Sequence, residues 1–169
     1  MPIVILLGAA IAGVLVEAFV PRRLRQPSQL GLAVAALVVA FIFVILNAQG
    51  FSATNRGTVT ADGAVAVDGP ALFLQGTLIL LGVVALLLVA ERTVEKGGAF
   101  VASAAVTAGT EMDRAQARHE PSTTDTYPLM LFSLGGMLLF VSANDLLTMF
   151  VALEVFSLPL YLLCALARR

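Results

Sequence analysis

From Leu146 to Leu166 the chain reads LLTMFVALEVFSLPLYLLCAL, a run whose only charged residue is Glu154. A helix rises about 1.5 Å per residue and the hydrocarbon layer is about 30 Å thick, so about 20 apolar residues suffice to cross it. The run, extended to residue 167, reads as a membrane span with one carboxyl near its middle. It is too long for a buried strand, and neither a heptad seam nor an alternating pattern interrupts it.

The same yardstick finds four more spans, at residues 2–20, 30–48, 70–90 and 127–143, the fourth shorter but uncharged. Of the 169 residues, 59% are apolar and 12% charged, half the charge density of an average soluble domain. The fold class expected is therefore an all-α integral membrane protein of about five transmembrane helices forming one membrane domain over residues 1–169. The first span is not read as a cleaved leader. Its basic cluster, Arg22, Arg23 and Arg25, follows the apolar core instead of preceding it.

Charge sets the orientation. With the N-terminus outside, the inner segments carry Arg22, Arg23, Arg25, Arg92, Lys96, Arg114, Arg118, Arg168 and Arg169, and the outer ones only Arg56. Nine against one obeys the positive-inside rule. Five spans then put the C-terminus in the cytoplasm, with a periplasmic loop at 51–69 and a cytoplasmic loop at 91–126.

Within the outer loop, Asp62-Gly63 between short alternating runs signals a β-hairpin. It reads either as a docking ribbon for a neighbouring subunit or as an ordinary solvated loop. In the inner loop His119 beside Glu120 reads as a solvated histidine. The single cysteine, Cys164, has no partner for a disulfide and reads as a small membrane hydrophobe. No phosphate loop, dinucleotide fingerprint, metal-ligand cluster or nucleophile constellation is visible, and nothing suggests a nucleic-acid partner.

Glu154 is the residue whose presence needs a reason. An ionised carboxylate at mid-membrane costs about 2.5–3.5 kcal/mol on insertion scales. Such groups face a bundle interior or a water-filled path. At 100° per residue, Glu154, Ser157 and Tyr161 fall within about 60° of one another, which supports an inward polar face. Pro159 lacks an N–H and should free the carbonyl of Val155, a local break that water or protein can satisfy. A structural glutamate paired to a neighbouring helix is the competing reading. Glu17, near the inner end of its span, reads as snorkelling or ion-paired with the nearby Arg22 and Arg23. Asp145 reads as the N-cap of the last helix.

These residues carry a resemblance. Tyr127-Pro-Leu-Met-Leu-Phe-Ser-Leu-Gly-Gly-Met-Leu-Leu-Phe140, followed by Asn144-Asp-Leu-Leu-Thr-Met-Phe-Val-Ala-Leu-Glu-Val-Phe-Ser-Leu-Pro-Leu-Tyr-Leu-Leu-Cys164, resembles the fourth and fifth helices of subunit N of proton-translocating NADH-quinone oxidoreductase (respiratory complex I), in an actinobacterial style. The resemblance implies a non-redox subunit of a translocase in the bacterial inner membrane, packed in the lipid bilayer against other membrane-arm subunits of the K, M and L type. It implies that NADH, FMN, iron–sulfur clusters and quinone are held by other subunits, with no cofactor in this chain. It gives Glu154 the place of the fifth-helix glutamate, which pairs with a lysine two helices further on; the wheel, not the resemblance, adds Ser157 and Tyr161 as the supporting polar face and Pro159 as the helix break.

The chain departs from the family in length. Its only lysine, Lys96, lies in a loop, so it resembles an N-terminal fragment of a longer fold, expected to be inactive alone. A subunit of a multisubunit cation/proton antiporter and a purely structural membrane-assembly subunit are the alternatives.

Overall fold

The computed structural model describes residues 1–54, 57–90 and 124–166. In chain order it contains α1 (Pro2–Phe19), α2 (Arg22–Thr54), β1 (Thr58–Thr60), β2 (Val65–Val67), α3 (Gly69–Ala90), α4 (Thr126–Phe140) and α5 (Leu146–Leu166). Four helices are long and apolar enough to cross a membrane, α2 through its stretch Leu24–Phe51. The fifth, α4, is apolar but has only 15 residues. The large side chains left exposed, among them Val4, Phe19, Phe73, Leu88, Leu147 and Phe150, ring the helices as lipid-facing groups would.

Two boundaries differ from the sequence reading. Helix α2 begins at Arg22, not at residue 30, and ends at Thr54, not at 48. Apolarity marks where a helix is greasy, not where it stops, and the polar stretch after Pro21 still satisfies helical hydrogen bonding. Pro27 sits inside it, while Ser28 Oγ bonds the carbonyls of Leu24 (2.7 Å) and Arg25 (2.9 Å). Arg25 Nε reaches back across the turn to the Val20 carbonyl at 2.6 Å. Helix α4 ends at Phe140 rather than 143, because residues 141–145 form a tight turn into α5. The expectations for residues 91–123, including Lys96 and His119, and those for Arg56, Arg168 and Arg169 lie outside the described residues.

The hairpin forms as read. β1 and β2 pair antiparallel with Thr58 opposite Val67 and Thr60 opposite Val65. The turn places Ala61, Asp62 and Gly63 at positive φ, a conformation that glycine, and next aspartate, adopt most readily. The ribbon docks on its own chain. Ala66 N–H donates to the Ser142 carbonyl (2.8 Å), Asn144 N–H to Ala64 (2.9 Å) and Asn144 Nδ2 to Gly63 (2.8 Å).

Helix α4 is the hub. It packs on α1, α2, α3 and α5, and small residues allow the approach. A Cβ added at Gly135 would fall 2.6 Å from Leu7 Cδ2, and one at Gly136 would fall 2.6 Å from the backbone nitrogen of Phe156. Lipid tails are as apolar as leucine, so close packing of small residues, rather than a hydrophobic drive, holds such helices together. The edge-to-face pair Phe140–Phe156, 5.8 Å between ring centres, sits beside the same contact.

Hydrogen bonds label the two ends. At one, the hairpin holds the 142–144 turn, and Gln75 Nε2 of α3 donates to Ser142 Oγ at 2.5 Å. At the other, Thr124, just before α4, bonds Glu17 near the end of α1. Helix α4 therefore runs between the same two ends as its longer neighbours.

Candidate functional site

Glu154 is the ninth residue of α5, in its third turn, and the helix starts cleanly. Asp145 accepts from Thr148 N–H (2.7 Å) and Thr148 Oγ (2.7 Å), the expected N-cap. These two bonds hold its carboxyl below the usual range. Beyond the cap, Ala152, Pro159 and Leu163 are buried. With Phe156, which packs on Gly136, they mark the face of α5 turned toward α4.

At 100° per residue that face lies opposite the one carrying Glu154, Ser157 and Tyr161. The three side chains do share a face, as the wheel predicts, but it looks away from the other described helices. Glu154 and Ser157 are partly exposed, Tyr161 is 69% exposed, and Leu147, Phe150 and Leu158 on the same side are more than half exposed. Among the described residues no hydrogen-bond or ion-pair partner faces the Glu154 carboxyl. Only 11% of the α5 span is buried, against 22–33% in the other three long helices, so α5 has one partner surface and one open surface.

The supporting hydroxyls act less directly than the wheel suggests. Ser157 Oγ donates to the Leu153 carbonyl of its own helix at 2.6 Å, the usual back-bond of a mid-helix serine. Pro159 is buried on the α4 side, and α5 continues through it without a break. Cys164 is exposed on the outer surface of α5.

A second polar group, which sequence reading located only in part, ties α1, α2 and the start of α4. Glu17 pairs with Arg25 at 2.9 Å; the side chains of Arg22 and Arg23 lie outside the described residues. Arg25, eight positions on from Glu17, reaches back over the end of α1 past the Pro21 turn. The other carboxylate oxygen accepts from Thr124 Oγ at 2.6 Å and from Gln29 Nε2 at 3.4 Å, and Gln29 Nε2 also donates to the Gly13 carbonyl at 2.7 Å. Asp125 stands beside the cluster. Burial first, then the Glu17 charge, pushes its pKa above the usual aspartate value, while Arg25 opposes them. One signal was available: Gln29 follows Arg25 by one helical turn and is the last polar residue before the apolar run that begins at Leu30.

Among the described residues no three His, Cys, Asp or Glu side chains gather as a metal site would require. What the arrangement offers chemically is a carboxyl at membrane depth on an open helix face and a saturated ion-pair cluster at one end of the bundle.

No family model matches the sequence. Curated proteins do. The chain is 62% identical over 168 residues to NADH-quinone oxidoreductase subunit N of Salinispora arenicola (strain CNS-205), an alignment covering 99% of this chain and 31% of that protein. It is 54% identical over 172 residues to the subunit N of Saccharopolyspora erythraea, covering 99% of the chain and 33% of the relative. Against subunit N 3 of Streptomyces griseus it is 51% identical, covering 100% and 32%. The chain thus spans about a third of the length of the curated relatives it matches, and the resemblance read from residues 127–164 extends over the whole chain.

Proposed function

We infer that this homologue of actinobacterial NADH-quinone oxidoreductase subunit N is a segment of the membrane arm of a proton-translocating NADH:quinone oxidoreductase in the bacterial inner membrane. In this reading all five helices cross the bilayer with the N-terminus outside. Glu154 exchanges a proton as electrons pass from NADH to quinone on other subunits. Redox cofactors belong to those subunits, and this chain acts as a non-redox translocase component packed against membrane-arm neighbours of the K, M and L type.

The observation that carries the reading is the direction Glu154 faces. A carboxyl in the middle of an apolar helix is retained where it has a partner or a water path. The described helices supply none, and the side of α5 that bears it is open. The relatives are about three times as long as this chain, which supports a partner from further helices, with a lysine as the cation of choice. A nearby cation favours the ionised form and desolvation the neutral form, so a partner that approaches and retreats moves the proton on and off.

The test is Glu154→Gln in the full-length assembled oxidoreductase. With the complex assembled normally, proton pumping and the coupled oxidoreductase rate should fall by tenfold or more, a loss of at least about 1.4 kcal/mol in the coupled step. Full pumping with normal assembly would defeat the proposal.

A further inference from the structure

We propose that Glu17 is a positioning residue for Glu154. Through Thr124 it fixes where α4 begins, and through α4 it fixes how α5 sits. The inference rests on the reading of Glu154 as a proton-exchanging carboxyl.

The chain of contacts is short. Glu17 spends both carboxylate oxygens on other elements: one on Arg25 of α2 at 2.9 Å, the other on Thr124 at 2.6 Å and Gln29 at 3.4 Å. Thr124 and Gln29 are each 1% exposed, so the hydroxyl and amide have no water to fall back on. Losing the carboxylate would strand the Thr124 hydroxyl and leave Gln29 Nε2 its bond to the Gly13 carbonyl alone. Thr124 lies two residues before α4, and the helix is rigid over its 15 residues.

At Gly136 the backbone of α4 meets the backbone of Phe156, where even a methyl group would come within 2.6 Å. A contact that tight transmits displacement rather than absorbing it. Phe156 is two residues from Glu154. A slide of α4 along its axis would therefore move or rotate α5 and change how far the carboxyl is withdrawn from its surroundings. Arg25 and Asp125 are the described charged groups beside Glu17.

The experiment uses the full-length assembled oxidoreductase in lipid nanodiscs, in a background free of other reactive cysteines that includes Cys164→Ser. Two quantities are read: the titration midpoint of Glu154 by infrared spectroscopy, assigned with Glu154→Gln, and the distance between spin labels at Leu129 on α4 and Leu162 on α5. Glu17→Gln should move the Glu154 midpoint by about half a pH unit or more and shift the label distance. The charge-swapped double variant, Glu17→Arg with Arg25→Glu, should restore part of both. If Glu17→Gln fails to insert, Thr124→Val, which keeps the ion pair, should give a smaller shift in the same direction. A folded Glu17→Gln chain with both readings unchanged overturns the proposal. If Glu154 never titrates between about pH 4 and 10 while the distance still shifts, the clamp stands and the proton-exchange reading falls.

Discussion

Asp125 and Asp145 stand at the starts of α4 and α5, yet pH should act on them in opposite senses. Two hydrogen bonds from Thr148 depress the Asp145 pKa. Its contribution to folding is therefore complete above the ordinary aspartate value of about 3.9 and is lost as pH falls through the lower folded value. Asp125 makes no side-chain cap bond, and its pKa is raised. The folded state binds its proton more readily than the unfolded chain does. Ionisation therefore costs stability at neutral pH, and that cost disappears below the ordinary aspartate range. Asp125→Asn should raise the thermal midpoint at pH 7 and leave it unchanged near pH 3. Asp145→Ala should speed amide exchange in the first turn of α5 at pH 7, and the difference from the parent should shrink in acid. Thermal melts at the two pH values and exchange measured by mass spectrometry would check the pair.

Single residues also show what sequence can and cannot say about this site. Glu154 was legible because a mid-span charge is conspicuous, and Asp145 because the cap pattern is local. The Glu17 pairing was legible as a type of interaction, but naming Arg25 as a partner requires the geometry of the turn between α1 and α2. The facing of Glu154 was invisible. A wheel tells which residues share a face, and only packing tells what that face meets.

For whole helices, the prediction concerns glycine. Gly136→Ala should force α4 and α5 apart and destabilise the bundle by roughly 1–3 kcal/mol, the usual cost of overpacking. Gly8→Ala, where a Cβ would meet nothing within 4 Å, should be neutral or slightly stabilising, as alanine outranks glycine in helices. Resistance to unfolding in mixed micelles would separate the two. Helix existence and type followed from apolar length alone, since a 20-residue greasy run in lipid has few alternatives to helix. Helix ends did not follow, because α2 extends through polar residues at both termini, and α4 stops early to let the 142–144 turn bond the hairpin. The hairpin itself was readable from Asp62-Gly63, but its docking on Ser142 and Asn144 joins residues about eighty positions apart.

Across the whole molecule the two hydrogen-bonded ends make a topological prediction. With Cys164 replaced by Ser, a cysteine at Asp62 should react with a membrane-impermeant thiol reagent from the periplasmic side, and one at Ser28 only from the cytoplasmic side. Labelling of both from one face would contradict an odd number of crossings between them. The positive-inside count and the hydrogen bonds are independent: the first uses residues mostly outside the described structure, the second uses only contacts within it.

The buried polar side chains are not scattered. Of Gln29, Gln75, Thr124, Thr126, Ser133 and Ser142, all but Ser133 gather at the two ends of the short α4. A helix of 15 residues is about 22 Å long, so polar matter reaches into the bundle from both sides of a layer that is about 30 Å thick elsewhere. If α4 crosses the bilayer as proposed, the insulating slab is thinnest along its axis. A transmembrane voltage worth about 2.3 kcal/mol per charge per 100 mV then drops over roughly three-quarters of the usual distance, and the electric field through the centre of this bundle is steeper by about a third.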